Sequence, residues 1–163
     1  MSDEPGPEGT GADGDAGRES TDGPTNDGQV FDRLPSTAAD RRVPGRPTRE
    51  AVVGWWVERF GLDPAAFDGV SFWEKGAGKV WAFAGDLPAD RVDVEGVGMT
   101  FLRTRQEHWK PTTNAALRYG RAATRNVVEL DPEEAARFAA GRDGPVEWDG
   151  DWGYLIAAHE FAG

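Results

Sequence analysis

MTFLRTRQEHWKPTTNAALRYGRAATRNVVEL, residues 99–130, is the stretch from which the rest of the chain is read. Its start continues an extended, apolar run that begins with Val92, Val94 and Val97 and reaches Leu102. Pro111 with Thr112 or Thr113 then opens a helix, because a hydroxyl at the cap accepts from the first free backbone amides. That helix is expected to run to about Ala123, and Asn126 to Leu130 returns as a strand. The segment is therefore strand, helix, strand.

The same stretch is a basic island in a chain of formal net charge -11. It holds Arg103, Arg105, Lys110, Arg118, Arg121 and Arg125, with Glu107 the one acid before Glu129. Arg103 and Arg105, two apart, share a face if the strand runs through both. Arg118, Arg121 and Arg125, three and four apart, stack along one side if the helix is long enough. Guanidinium groups gathered this way suit phosphate oxygens, since they are planar, permanently charged and rich in donors. Two other readings stand beside that one: a solvated face paired with acids such as Glu95, Glu133 or Glu134, and a docking surface for an acidic protein. Trp109, between His108 and Lys110, is placed either to stack on a base or to cover the edge of the core.

Working outward, 163 residues suffice for one domain with some chain left over. The first forty residues carry ten acids and two arginines, so most of the negative charge lies at the front. Residues 1–46 contain few large apolar side chains, with Val30, Phe31, Leu34 and Val43 isolated among Gly, Pro, Asp and Ser. Such a leader is expected to be disordered, because it buries too little surface to offset chain entropy. The domain is expected over residues 47–163. Arg41, Arg42, Arg46 and Arg49 sit at the junction, where they either fold back onto acids or extend the basic face.

Thr48 is a suitable N-cap for a helix in which Val52, Val53, Trp56, Val57 and Phe60 recur at helical spacing, and Gly61 stops it. Asp63-Pro64 starts a second, short helical turn that ends near Phe67. Val70–Glu74 and Lys79–Ala84 flank a glycine-bearing turn and read as a hairpin. Asp131-Pro132-Glu133-Glu134 supplies a capping residue, a proline at the first helical site and a glutamate three after the cap, for a helix that ends at Gly141. Val146–Trp148 and Trp152–Ala158, around Asp149-Gly150-Asp151, read as a closing hairpin, with Trp148 and Trp152 as an exposed pair. The fold class expected is α+β: a small, partly open mixed β barrel with short helices.

Composition also narrows the chemistry. Zero cysteines excludes disulfides, thiolate metal sites and a cysteine nucleophile, and two histidines argue against a histidine-rich metal centre. No stretch approaches the roughly 20 apolar residues of a membrane span, and the acidic start does not read as a signal peptide. A soluble, cytoplasmic protein without cofactor is expected. Lysines number three among eighteen basic residues and acids abound, a balance associated with salt-loving archaea. At roughly molar salt the Debye length is about 3 Å, so binding there depends on close contact.

From Thr48 to the C-terminus the chain resembles the C-terminal, PUA-like RNA-binding domain of RsmF-type members of the Nol1/Nop2/Sun family of RNA cytosine-5 methyltransferases. The resemblance is carried by ERFGL, FWEKGAGKVWAFAGDLP, VGMTFLRTR with HWKPTTNAAL, VVELDPEEAARFAAG and DGDWGYLIA, in that order. It implies a PUA-like pseudo-barrel and a non-catalytic RNA-binding module in rRNA or tRNA maturation. The RNA contacts are expected from Arg103, Arg105, Lys110, Arg118, Arg121, Arg125 and Trp109. The chain departs from the family in two ways: it contains neither a methyltransferase core nor the cysteine nucleophile, and it stops at His159-Glu160-Phe161-Ala162-Gly163, where the family has a closing strand. Either the barrel closes differently or the chain is trimmed. The alternative function is a protein-interaction adapter that docks on a ribosome-assembly factor or an RNA-modifying enzyme. As an enzyme, the chain would offer Asp149, Asp151 and His159 as a hydrolytic group, although Asp-Gly-Asp is also ordinary turn chemistry.

Overall fold

A computed structural model describes residues 30–160. They form an α+β fold with a six-stranded antiparallel sheet and a separate two-stranded parallel pair. The elements are β1 (Phe31–Arg33), α1 (Arg49–Phe60), β2 (Val70–Glu74), β3 (Lys79–Ala84), β4 (Arg91–Val92), β5 (Met99–Arg103), β6 (Lys110–Pro111), α2 (Thr113–Tyr119), β7 (Val127–Glu129), α3 (Pro132–Ala139) and β8 (Ile156–Ala158). The large sheet runs β4-β1-β2-β3-β5-β6, with β4 and β6 at its edges.

Local signals are realised where the chain closes its own hydrogen bonds. Thr48 accepts from the Ala51 amide at 3.0 Å to start α1. Gly61 ends the helix in the left-handed conformation (φ 65°) that a glycine takes without strain. Asp131 and Glu134 close a reciprocal capping box at the start of α3. The β2–β3 hairpin pairs Trp73 with Trp81 and Phe72 with Ala82. One face of the sheet packs Phe72, Val80, Ala82, Phe101 and Leu102 against Val52, Trp56 and Phe60 of α1. Trp56 lies 5.1 Å from Phe60 and 5.2 Å from Phe101, between ring centroids. The opposite face holds a smaller cluster of Phe31, Trp73 and Val97.

Two expectations are corrected and one open alternative is decided. First, disorder does not extend through residue 46. Phe31 is 0% exposed and Leu34 is buried, and β1 lies inside the sheet between β4 and β2. The two apolar side chains look isolated in sequence but reach separate clusters on opposite faces of the sheet. The part of that expectation concerning residues 1–29 lies outside the described residues. Second, Arg46 folds back onto acids: it bonds Glu74 at 2.7 Å and Asp32 at 3.1 Å. Asp32 and Glu74 are direct cross-strand neighbours, so Arg46 separates two like charges. Third, no closing hairpin forms at 146–158. The segment before Ile156 is irregular, and β8 pairs in parallel with β7, Val127 opposite Ile156.

The C-terminal end of α1 is held by a distant stretch. The Thr124 and Arg125 amides both donate to the Phe60 carbonyl, Thr124 Oγ1 donates to the Gly61 carbonyl, and Asn126 Nδ2 donates to the Arg59 carbonyl. These donors satisfy carbonyls that a helix terminus otherwise leaves to water. They also fix where Arg125 leaves the backbone.

Candidate nucleic-acid interface

A basic row crosses the sheet near its β6 edge. Register places Lys79 opposite Arg103 and Arg103 opposite Lys110. Directly opposed side chains share a face, with Cβ atoms about 5 Å apart. What turns Arg103 outward is an irregularity in the β3–β5 pairing: Trp81 pairs with Thr100 but Val80 pairs with Leu102, leaving Phe101 as the extra residue. Phe101 and Leu102 are consequently both buried in the main core, and Arg103 emerges on the other face. Plain alternation would have aimed Arg103 the same way as Phe101.

Arg103 and Arg105 do not share a strand face as expected, because β5 ends at Arg103. Arg105 nevertheless arrives beside the row. The Thr104 amide donates to the Gly78 carbonyl at 2.9 Å, and the Arg105 stem lies over Gly78, where an added Cβ would sit 2.6 Å from Arg105 Cγ. Gly78 is the residue before Lys79. Lys79 itself was missed by sequence reasoning, since only the register of three strands brings it to the basic segment.

Arg118, Arg121 and Arg125 do not stack on one helix side either. The helix stops at Tyr119, Arg121 falls in a 3-10 turn (Gly120–Ala122), and Arg125 follows in the segment that caps α1. Tyr119 is drawn into the core against Phe67 and Phe101, which ends the regular turn there. The three arginines lie in succession on a helix, a 3-10 turn and an irregular segment rather than on one helical stripe.

None of Lys79, Arg103, Arg105, Lys110, Arg118, Arg121 and Arg125 forms an ion pair among the described residues, and all seven are exposed. Of the other described arginines, Arg33, Arg46, Arg59, Arg91 and Arg137 each hold a carboxylate, whereas Arg41, Arg42, Arg49 and Arg142 form no ion pair among the described residues either. Glu95, Glu133 and Glu134 form no ion pair with these seven: Glu133 faces Arg137, and Glu134 is used by the α3 cap.

Trp109 is half-buried against the main core, 6.3 Å from the Trp55 ring, and it also lines a groove of about 950 Å³. Trp55, His108, Trp152 and Tyr154 contribute to the same groove. Lys110 Nζ lies 5.5 Å from the Tyr154 ring centroid, so the basic row abuts the groove wall. Arg59 fixes that wall by donating to the Tyr154 carbonyl and pairing with Asp151 at 2.9 Å.

Asp149, Asp151 and His159 are not assembled into a common group. Asp151 is engaged with Arg59, whereas His159 Nδ1 lies 2.8 Å from the Leu130 carbonyl oxygen. The Trp148 and Trp152 pair separates in the same way: Trp148 is half-buried with Nε1 donating to the Asp151 carbonyl, and Trp152 is 82% exposed. Among the described residues no cluster of three or more acids or histidines is placed to hold a metal ion, and no helix is long and apolar enough to cross a membrane.

No curated protein and no solved structure matches the chain. Residues 18–98, which take in β1, α1 and the β2–β3 hairpin and end one residue before β5, match the model of a family of unknown function, DUF7122.

Proposed function

We propose that this protein is a non-catalytic, PUA-like RNA-binding module of the cytoplasm, acting in rRNA or tRNA maturation. The observation that carries the reading is the aligned row Lys79–Arg103–Lys110 with Arg105 beside it, exposed and without an ion pair among the described residues, in a chain of net charge -11. An acidic protein has no shortage of carboxylates to place beside them. Leaving them unpaired keeps their donors available for phosphate oxygens. The Lys79–Arg103–Lys110 row brings three cations to neighbouring cross-strand positions, with Cβ atoms about 5 Å apart, and Arg105 broadens it. Trp109, next in sequence to Lys110, presents a ring at the end of the row for base stacking.

The test is filter binding of the full chain with total cellular RNA and with a single-stranded RNA oligonucleotide, over a salt series. Neutralising each phosphate contact contributes about -0.7 to the slope of log K against log salt for a single strand. Lys79→Glu with Arg103→Glu is expected to weaken binding more than tenfold and flatten that slope by about 1.5, with the thermal midpoint unchanged. Arg118→Glu with Arg121→Glu should act in the same direction. Binding that ignores both pairs of substitutions refutes the assignment.

A further inference from the structure

The groove beside α1 has the opposite charge from the basic row. Glu50, Glu58 and Glu107 line it as exposed carboxylates without an ion pair among the described residues, and Asp151 is already held by Arg59. Its other surfaces are aromatic: Trp55, Trp109, Trp152 and Tyr154. Trp152, at 82% exposed, is the least covered large hydrophobic side chain among the described residues, and a ring left so far in water is typical of an interface anchor. Along the floor, Gly54 lies midway between Glu50 and Glu58 in α1. Glycine inside a helix costs about 1 kcal/mol relative to alanine. Packing does not require it here, since a Cβ at Gly54 would meet nothing within 4 Å. The floor is open at the expense of helix stability.

Aromatic faces beside carboxylates select cations, and guanidinium above others because it stacks and donates in one plane. A polyanion would meet repulsion in the same place. Length separates a small ammonium ion from a peptide. Glu50 and Glu58 are eight residues apart, about 12 Å along the helix, which matches three to four residues of extended chain. We propose that this groove docks an arginine-bearing segment of a partner protein, with Trp152 and Trp109 stacking on guanidinium groups and Glu50, Glu58 and Glu107 pairing with them. The proposal shares Trp109 with the RNA reading and otherwise lies apart from the basic row, so Trp152, which the RNA reading does not use, separates the two.

The experiment is fluorescence anisotropy of a labelled six-arginine peptide titrated with the full chain at moderate salt. A chain this acidic attracts any cation, so variants separate the groove from net charge. Trp152→Ala leaves charge unchanged, Glu58→Gln with Glu107→Gln removes two charges at the groove, and Glu95→Gln with Glu129→Gln removes two elsewhere. The first two variants should each weaken binding about tenfold, and the third less than about twofold. Equal weakening by the distant pair, no effect of Trp152→Ala, or no binding of the peptide would overturn the proposal. RNA binding measured on the same preparations shows separately whether the basic row functions.

Discussion

Replacing Arg46 by methionine tests whether residues 30–46 belong to the folded unit. Methionine keeps most of the stem's volume and removes the charge. The Arg46 side chain is 11% exposed, and it lies between Asp32 at 14% and Glu74 at 8%. Those carboxylates face each other across β1 and β2, so neutralising Arg46 brings two poorly solvated like charges into opposition. Asp32 retains Arg91 at 2.6 Å, and Glu74 retains the Gly78 amide at 2.9 Å, which limits the loss. Breaking a buried pair by removing one partner costs about 3–5 kcal/mol, and with those contacts remaining the lower end applies, about 3 kcal/mol. For a folded unit of this size that corresponds to a fall of roughly 10 °C in Tm. Urea unfolding followed by tryptophan fluorescence measures it. Glu74→Gln in the Arg46→Met background removes one of the opposed charges while keeping an acceptor for Gly78, and should recover about 1–2 kcal/mol. A loss below about 1 kcal/mol, or strict additivity of the two substitutions, would refute the reasoning. Because the network is shielded from solvent, the loss should persist at high salt.

Two further outcomes concern the front of the chain. A fragment of residues 47–163 lacks Phe31, Leu34 and the strand between β4 and β2, so it should show no cooperative thermal transition, whereas residues 30–163 should unfold with a midpoint near that of the full chain. Residues 1–29 contain eight acids and one arginine, and deleting them should tighten RNA binding severalfold at low salt through loss of competition for the basic row. Unchanged affinity in filter binding would remove any such role for that segment.

Sequence made legible whatever is settled within a few residues. Thr48 and Gly61 bound α1, Asp131 and Glu134 start α3, and the Val70–Ala84 hairpin closes on its own turn. The errors all involve distant partners. Phe31 looked solitary because its neighbours, Trp73 and Trp81, are some 40 to 50 residues away. The alternating pattern around Trp148 and Trp152 suggested a hairpin, yet that segment is held by Arg59 of α1, and the strand that follows it pairs with β7. In the candidate site, the identity of the cations was readable but their arrangement was not. A single extra residue at Phe101 redirects Arg103, and no local pattern announces it.

The last turn of α1 joins both candidate surfaces. The Arg59 side chain secures the groove wall at Asp151 and Tyr154, and the carbonyls of Arg59, Phe60 and Gly61 hold the segment that bears Arg125. Fraying of this one turn would release the Arg125 segment and the aromatic wall together. A genetic screen for loss of either binding activity would therefore return Gly61, where a Cβ would press to 2.2 Å from Thr124 Oγ1, as a pleiotropic position. Alleles that separate the two activities have to be sought at the tips, Arg103 and Trp152, and not at the shared anchor.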